Sequence, residues 1–373
     1  MFINELKLKN FRCFSDFKLN FEDKFVVLEG NNGSGKTTIL EALYYACYLR
    51  SFRTRLNREL SSFKKDLFFL QVDFEEEFDL GHSSIQIGYS NKDGKLVKLN
   101  KKPVSSFKDI ISRYKVISLT LDDMQLVVGA PEFRRAYLNQ SMFLLDSKII
   151  FLLKEYKKVL EQRNKFMLIN SHSKISGYKK DELYSWTKQL WEKSNFLQNQ
   201  RIEFLKKIEK RVNQFLNRYF CFSDNIISIE LNYSKKNTSD DNYSYDKFWD
   251  YYQNHLLDKE QKWQRTLFGV HLDDFSINFK NKKARFFASR GQQKLILFLL
   301  KVVQLLEIQE NESGVLLLDD FLTDFDVNKL VGSVSLLREQ DFQFFITSPI
   351  KSFIKTRLKK NKKTIDFQTH FLA

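Results

Sequence analysis

The sequence predicts an α/β fold that is interrupted by a mainly helical insert, because the hydrophobic pattern changes twice along the chain. Leu6 and Leu8, and then Phe17, Leu19 and Phe21, alternate with polar residues, which indicates half-buried strands. After Pro131 the apolar residues are spaced by threes and fours, as in amphipathic helices. Strand signals return at Ser276–Phe279. The domain boundaries predicted from these changes are residues 1–135 and 265–373 for the core lobe, and residues 136–264 for the inserted lobe.

Several strands can be placed in the first part of the chain. Phe25–Leu28 is a continuous apolar run, which is typical of a strand buried on both faces. Further strands are expected at Phe68–Phe74 and Ile85–Tyr89. Asn91–Gly94 has the turn residues of a hairpin and leads into another strand at Leu96–Leu99.

The later elements follow from the same reasoning. Leu145–Val159 and Leu205–Tyr219 have helical spacing, and the second keeps a heptad pattern too briefly for an extended coiled coil, so packed helices are expected. Asn232–Asp246 is polar and is predicted to be a loop. Apolar strands are expected at Val315–Leu318 and Gln343–Thr347.

Composition excludes some classes of protein. The chain has 373 residues, 43% of them hydrophobic, and no apolar run approaches the ~20 residues of a membrane helix. The first residues include Glu5 and no apolar stretch, so we expect no signal peptide. The three cysteines match no zinc or disulfide spacing, which favours the cytoplasm. The net charge of +15 fits either polyanion binding or the lysine-rich codon usage of an AT-rich genome.

A phosphate-binding loop is predicted at Gly30–Thr37, which fits G-x-x-x-x-G-K-[ST] between a buried strand and an apolar helix over Ile39–Leu49. Glycines let backbone N–H groups converge on phosphates, and the helix N-terminus adds the positive end of its dipole. We expect Lys36 to reach the β- and γ-phosphates and the Thr37 hydroxyl to hold Mg²⁺. The nucleotide-binding residues predicted here are Gly30, Asn31, Asn32, Gly33, Ser34, Gly35, Lys36, Thr37 and Thr38.

Two carboxylates, Asp319 and Asp320, end the predicted strand Val315–Leu318. A P-loop enzyme needs an acid at such a strand end to hold Mg²⁺, and a second group to orient the attacking water. We assign Asp319 to Mg²⁺ and Asp320, together with Lys36, to catalysis. Ordinary surface aspartates are the alternative, and the phosphate loop upstream favours the catalytic interpretation.

Ala288–Gln293 heads a long apolar helix over Lys294–Leu306. It resembles the LSGGQ-type signature of ABC ATPases, in which a serine and a glycine at a helix N-terminus bind the γ-phosphate held by another protomer. Thr37 and Ser289 lie 252 positions apart. A chromosome-maintenance protein would insert hundreds of coiled-coil residues there, and a transporter subunit far fewer.

Motifs in order along the chain resemble those of the RecF family. The RecF-like segments are Lys9–Phe14 (N-F-R), Arg50–Thr54 (S-F-R-T), Val127–Arg135 (L-V-x-G-x-P-x-x-R-R), Glu161–Asn164 (Q-R-N) and Leu316–Asp326 (L-L-D-D-x-x-S-E-L-D). ABC transporters lack the Arg-Arg and Q-R-N elements, so together the segments are specific.

The resemblance implies a P-loop ABC-type ATPase core lobe with a second lobe, and ATP held between the two protomers of an ATP-dependent homodimer. It also implies binding to DNA at gaps or at single-strand/double-strand junctions, and loading of the RecA recombinase with RecO and RecR. By matching motif, Arg12 would lie near the nucleotide base and Asp326 at the position of the D-loop. The residues that would close on the partner's γ-phosphate are Ser289, Arg290, Gly291 and Gln292.

The chain also departs from the family pattern. Gly269–Asp274 lacks the proline and arginine of the usual G-P-H-R-D-D, and Leu121 replaces a usual proline. Asn139 stands where an aspartate is usual, and Asp324-Phe325 where E-L is usual. These changes bear on the interface geometry and the partners, whereas the nucleotide motifs are intact.

Four interpretations stay open at the level of sequence. His271 has either a role at the dimer interface or a structural one, and Arg50–Arg58 contains four arginines that form either a DNA contact or a solvated face. The basic run Arg357–Lys363 is either a solvated tail or an electrostatic contact. The intact Asp319–Asp320 pair favours a weak DNA-stimulated ATPase, and the altered segment Gly269–Asp274 favours an ATP-gated scaffold that does not hydrolyse.

Overall fold

The computed structural model describes residues 2–75, 81–104, 110, 113–146, 148–171, 173, 175–220, 227–237, 244–308, 314–322, 325–348 and 368–372. The chain divides into two compact units. Unit 1 consists of Met1–Met124, Gln214–Ile226 and Ser289–Ala373, and unit 2 consists of Gln125–Asn213 and Ile227–Ala288.

Both units contain strands and helices. The strands are β1 (Phe2–Phe11), β2 (Phe14–Asn20), β3 (Phe25–Gly30), β4 (Leu67–Glu75), β5 (His82–Ser90), β6 (Gly94–Leu99), β7 (Lys102–Pro103), β8 (Val116–Leu119), β9 (Ile229–Ser234), β10 (Asp274–Phe279), β11 (Lys282–Lys283), β12 (Val315–Leu318), β13 (Gln343–Ser348) and β14 (Gln368–Leu372). The α-helices are α1 (Lys36–Tyr48), α2 (Gln125–Val128), α3 (Pro131–Leu145), α4 (Ile149–Ile169), α5 (Tyr178–Phe220), α6 (Tyr245–His255), α7 (Leu257–Trp263), α8 (Ala284–Phe287), α9 (Arg290–Ile308) and α10 (Val327–Arg338). Within the described residues, no helix has the length and apolarity needed to cross a membrane.

A five-stranded parallel sheet in unit 1 has the order β14-β3-β13-β12-β8. Every residue of β3 is buried, as its continuous apolar run predicts. β13 pairs with β3 on one side and with β12 on the other, so the carboxyl ends of these three strands lie side by side. The strands predicted at Val315–Leu318 and Gln343–Thr347 are confirmed.

A six-stranded sheet in unit 1 has the order β2-β1-β4-β5-β6-β7, and its neighbouring strands are antiparallel. The residues of β4 alternate between buried and less buried, which is the pattern of a sheet with one face on a core. Ser90 pairs with Gly94 across the predicted hairpin turn, and Gly94 has a φ of 77°. The strands and turn predicted between Phe68 and Leu99 are therefore confirmed.

The largest helix of the insert, α5, has 43 residues, and its last seven belong to unit 1. Its buried apolar residues in unit 2 include Leu183, Leu190 and Leu197, which are seven residues apart. The buried positions between them are polar, namely Thr187 and Ser194. The helix is much longer than the segment predicted at Leu205–Tyr219. The earlier part was not predicted because two of its buried positions are polar, so the apolar residues alone do not show helical spacing there.

The prediction of a loop over Asn232–Asp246 is wrong at both ends. Residues up to Ser234 belong to β9, which pairs antiparallel with β10 and buries Ile229 and Leu231. At the other end α6 begins at Tyr245. The strand was missed because its outward residues are polar and its pairing partner is about forty positions away in the sequence. Residues 238–243 of the predicted loop lie outside the described residues.

Buried ion pairs and hydrogen bonds connect the motif residues inside unit 2. Arg134 forms two hydrogen bonds with the carboxylate of Asp274, at 2.7 and 2.9 Å. The guanidinium of Arg163 is fully buried and donates to Glu260 at 2.7 Å. Bidentate and buried charge pairs of this kind fix geometry strongly because an unpaired partner would remain desolvated.

The altered segment Gly269–Asp274 belongs to the same buried region. The Nδ1 atom of His271 lies 2.6 Å from the Tyr156 hydroxyl, and burial lowers the pKa of His271 to about 4. Asp273 accepts hydrogen bonds from Gln198 and from the backbone N–H of Lys236. These contacts favour the structural interpretation of His271. Asn139, where the family has an aspartate, still accepts a hydrogen bond from Arg201 at 2.8 Å.

Replacing Arg163 by alanine should destabilise unit 2 by about 3–5 kcal/mol, since Glu260 would be left charged and buried without its cation. Urea unfolding followed by tryptophan fluorescence would measure this. All four tryptophans, at positions 186, 191, 249 and 263, belong to unit 2, so the signal reports on that unit.

Lys157→Ala is the matched control, because Lys157 forms an exposed pair with Glu161 at 3.7 Å. It should change the free energy of unfolding by no more than about 0.5 kcal/mol. Equal effects of the two substitutions would show that the buried pair contributes no special stability.

Candidate nucleotide site

The loop between β3 and α1 has a backbone that needs glycine. Gly33 and Gly35 have φ values of 88° and 96°, in the left-handed region. A Cβ atom on Gly35 would also lie 2.4 Å from the Phe14 ring. α1 begins directly after this loop, at Lys36, three residues earlier than the apolar run predicts. The N–H groups of its first turn therefore point into the loop, as an anion site requires.

Lys36 is buried, and its ammonium is satisfied by the loop itself. Its Nζ atom donates to the carbonyl oxygens of Gly30 and Asn31, both at 2.8 Å. The Ser34 hydroxyl, in contrast, is buried and has no hydrogen-bond partner among the described residues. A cation beside a buried, unsatisfied hydroxyl is an arrangement that fits a phosphate group.

The loop and the acidic strand end are in contact although they lie far apart in the sequence. The Thr37 hydroxyl donates to a carboxylate oxygen of Asp319 at 2.8 Å. The Thr347 hydroxyl, at the end of β13, lies 3.0 Å from Asp319 and 3.2 Å from Asp320. The backbone N–H of Asp320 donates to Thr347 at 2.7 Å. Burial raises the pKa of Asp319, against the effect of the two threonine hydrogen bonds.

Asp320 has an uncommon backbone conformation, with a φ of 48°. Aspartate and asparagine tolerate this left-handed region better than most residues, and strained positions cluster at functional sites. The conformation follows directly after β12, so the strand ends at the point where both carboxylates stand beside the loop.

A buried carboxylate on α1 holds two arginines at the loop. Glu41 is 0% exposed and accepts two hydrogen bonds from Arg12, at 3.0 and 2.7 Å. Arg53 lies 3.4 Å from the same carboxylate, and the Ser51 hydroxyl also contacts it. Arg12 itself has a φ of 54°. Two guanidinium groups are thus fixed in place by one acid.

These groups surround a cavity of about 650 Å³. The residues that line it are Arg12, Cys13, Asn32, Gly33, Gly35, Lys36, Thr37, Thr38, Arg53, Ser61, Phe63 and Asp320. Phe63 is 88% exposed and presents an aromatic side chain at this cavity. The volume is sufficient for a nucleotide, and sites for small molecules combine apolar walls with a few polar groups in this way.

The signature segment does not line this cavity. Ser289 and Gln292 instead form a capping box at the start of α9. The Ser289 backbone N–H donates to the Gln292 side chain at 2.8 Å, and the Gln292 N–H donates to the Ser289 hydroxyl at 3.3 Å. Ser289 and Arg290 are exposed, and Gly291 is partly exposed, so the helix end faces outward.

Asp326 is likewise absent from the cavity lining, and it caps α10. Its side chain accepts a hydrogen bond from the Lys329 N–H at 2.9 Å and also contacts the Lys329 ammonium. Although burial alone would raise it, the pKa of Asp326 is lowered by these contacts. Asp324, the neighbouring departure from the family pattern, lies outside the described residues.

The donor set at Thr37 and Asp319 suits Mg²⁺. Both side chains offer hard oxygen ligands, 2.8 Å apart, beside a loop that can hold phosphates. Mg²⁺ takes one or two protein ligands and completes its shell with phosphate and water oxygens. Within the described residues, no group of three or more histidine, cysteine, aspartate or glutamate side chains could hold a metal ion.

Glu41 and Thr347 were not predicted from the sequence as residues of the site, although the sequence contains an indication of each. Glu41 is the one acid in the apolar helix predicted over Ile39–Leu49. Thr347 ends the predicted strand at Gln343–Thr347, and in parallel sheets the residues at carboxyl ends meet at one edge. The strand order needed to use this second signal comes only from the structure.

Comparison with known proteins shows similarity to RecF proteins over nearly the full length of the chain. A family model described as the RecF/RecN/SMC N terminal domain matches residues 2–369. A DNA replication and repair protein RecF from Natranaerobius thermophilus is 31% identical over 359 residues, which cover 93% of this chain and 91% of that protein. The chain belongs to the RecF family. A RecF from Ligilactobacillus salivarius is 29% identical and covers 97% of this chain.

Solved structures are also similar to this chain. One described as the recombination mediator protein RecF-ATP in the RecFOR pathway has a TM-score of 0.78 and 26% identity, and covers 94% of this chain and 92% of that chain. An Smc head domain from Pyrococcus furiosus has a TM-score of 0.55 and 14% identity, which shows a shared fold alone. The predicted ABC-type ATPase fold is therefore confirmed for this RecF-family chain.

Replacing Lys36 by methionine should weaken nucleotide binding by about tenfold or more, because it removes charge-assisted hydrogen bonds worth ~1.5–3 kcal/mol each. A titration with fluorescent ATP would measure this, with circular dichroism to verify the fold. Lys92→Met, on an exposed turn of unit 1, is the control and should bind as the wild type does. Wild-type affinity in Lys36→Met would refute the assignment of the loop.

Proposed function

We propose that this chain is a cytoplasmic, ATP-dependent DNA-binding protein of replication and recombinational repair. ATP drives two copies together, the dimer clamps DNA at gaps or at single-strand/double-strand junctions, and it promotes loading of RecA with RecO and RecR. Slow hydrolysis of ATP then releases the DNA. The observation that carries this proposal is the contact of Thr37 with Asp319 beside Lys36, which brings together, from segments 282 residues apart, groups that would hold Mg²⁺ and ATP.

Several observations support ATP as the ligand. Lys36 and the first turn of α1 supply positive charge at the loop, and Ser34 supplies a hydroxyl that lacks a partner among the described residues. Arg12 and Phe63 line the same cavity and offer a guanidinium plane and an aromatic face to a base. A RecF of similar fold has been solved as RecF-ATP.

The chemistry that the described groups can perform is hydrolysis of the terminal phosphate. Thr37 and Asp319 would hold Mg²⁺, which neutralises phosphate charge when bound. Asp320, which lines the cavity, would orient the attacking water and accept a proton from it. The Thr347 hydroxyl accepts a hydrogen bond from the backbone N–H of Asp320 and lies 3.2 Å from the Asp320 carboxylate, so it contacts both the backbone and the side chain of this residue at the strand end.

The signature helix supports an arrangement with two protomers. Ser289 and Arg290 are exposed at the start of α9 and do not line the cavity of their own chain. A capped helix N-terminus is nevertheless a good site for an anion. A second copy that presents its own bound γ-phosphate to this helix end would complete the site in both protomers.

DNA contacts would depend mainly on charge. The net charge is +15, and Arg50, Arg55 and Arg58 are exposed after α1, whereas Arg53 is turned toward Glu41. Phosphate contacts by such side chains carry no sequence information, so a preference for gaps would come from the shape of the DNA.

Asp320→Asn should leave ATP binding intact and lower hydrolysis by about 10²–10⁴-fold, because it removes the general base and keeps the Mg²⁺ ligand. Asparagine tolerates the left-handed backbone at this position, so the fold should be unaffected. Release of phosphate is measured with and without gapped DNA, and Asp122→Asn, on an exposed turn of unit 1, is the control. Hydrolysis at the wild-type rate in Asp320→Asn would place the base elsewhere. If the wild type itself shows no turnover with DNA, the protein is the non-hydrolysing scaffold.

Ser289→Arg should permit ATP binding to the monomer and block the ATP-driven dimer, since a bulky cation would occupy the place of the γ-phosphate contact. Ser289→Ala is the matched control, because it also removes the helix cap, at a cost of about 1 kcal/mol, without adding bulk. Sedimentation with ATP and gapped DNA would compare dimer formation by the Ser289→Arg and Ser289→Ala variants. Normal dimerisation of Ser289→Arg would contradict the two-protomer site.

A further inference from the structure

A second cavity, of about 660 Å³, lies wholly within unit 2 and belongs to no motif of the nucleotide site. It is formed around α7 and the segment that follows this helix. Its apolar lining includes Leu256, Leu267 and Leu272. Sites for planar ligands combine such an apolar floor with polar groups at the mouth.

An exposed aromatic residue stands at this cavity. Trp263 is the last residue of α7 and is 54% exposed. The guanidinium of Arg265 lies 5.4 Å from the centre of its ring. Tyr251 also lines the cavity. Arg265 lies over one side of the Trp263 ring, and because Trp263 is 54% exposed, the rest of its surface can take part in stacking.

The rim of the cavity is positively charged. Lys236, Lys259, Lys262 and Arg265 line it, all four are exposed, and the lining contains no aspartate or glutamate. In the part of the chain that the structure describes, none of the four forms an ion pair with a carboxylate. Lys259, Lys262 and Trp263 share one face of α7, because residues three and four positions apart are neighbours on a helix.

From this combination of a stacking surface, an apolar floor and a cationic rim, we propose that unit 2 binds single-stranded nucleic acid, with an unpaired base stacked on Trp263 and the adjacent phosphates on the lysines. Aromatic platforms beside positive charge are the usual means of holding single strands. A duplex keeps its bases stacked inside, so it could use the lysines and not the tryptophan. The site is separate from the nucleotide cavity and does not depend on ATP or on a dimer.

The test uses the full chain without ATP and a fluorescein-labelled oligo(dT) single strand, with binding followed by anisotropy. Trp263→Ala should weaken binding by at least about fivefold, the lower end of what a lost base–aromatic stack costs. Trp263→Phe, which keeps an aromatic face, should retain most of the affinity. Tyr178→Ala is the matched control, since Tyr178 is an exposed aromatic residue of unit 2 outside this cavity.

The charge contribution is measured separately. The double substitution of Lys259→Ala and Lys262→Ala should make the negative slope of log affinity against log salt shallower by about 1.4. This change corresponds to two phosphates of a single strand. The control pair is Lys206→Ala with Lys207→Ala, on exposed positions of α5 in unit 2, and should change the slope less. A blunt duplex of the same sequence length should be insensitive to Trp263→Ala, and free dTMP should compete only weakly.

Photo-crosslinking with an oligonucleotide that carries 5-iododeoxyuridine gives a readout that needs no variant. A crosslinked peptide containing Trp263 or Tyr251 supports the site. Crosslinks confined to other peptides, absence of oligo(dT) binding by the wild type, or equal affinity of Trp263→Ala and Tyr178→Ala would each overturn it. Because ATP is absent throughout, these outcomes do not bear on the ATP site, which the Lys36→Met titration tests.

Discussion

The pairing of β13 with both β3 and β12 is the constraint on which the nucleotide site depends. β3 carries the phosphate loop at its end and β12 carries the two carboxylates, and neither strand touches the other directly. The sheet therefore fixes the distance between the loop and the acids, and the residues at the carboxyl end of β13 lie between them. One of these is Thr347, the penultimate residue of β13, whose hydroxyl contacts both carboxylates.

Much of this architecture could be predicted from local patterns. The buried run Phe25–Leu28, the glycine spacing of the loop and the strand ahead of Asp319 each carry their signal in a few neighbouring residues. The order of the strands in the sheet leaves no such local signal, because it is decided by packing between distant segments. For the same reason β9 was missed, since its strand character comes from pairing with β10. The first part of the long helix α5, ahead of the predicted segment Leu205–Tyr219, was missed because Thr187 and Ser194 are buried while chemically polar.

The sequence alone did not decide what the family-motif residues of unit 2 do, and the structure shows their contacts. Arg134, Arg163 and His271 all make buried contacts within unit 2, so these elements maintain the shape of that unit. The altered segment Gly269–Asp274 keeps its hydrogen-bonding residues, Asp273 and Asp274, and loses two residues of the usual pattern at other positions. Its departures are compatible with an intact unit.

Thr347 has one hydroxyl hydrogen, yet two carboxylate oxygens stand within reach of it. Only one of them can receive that hydrogen fully at a time, since a hydroxyl is a single donor. A cation bound at this oxygen of Asp319 would leave the hydrogen to Asp320, and departure of the cation would let the hydrogen return. Asp319 and Asp320 thus compete for the one hydroxyl hydrogen of Thr347. Rotation of this hydroxyl would link the orientation of the Asp320 carboxylate to the binding of a cation at Asp319.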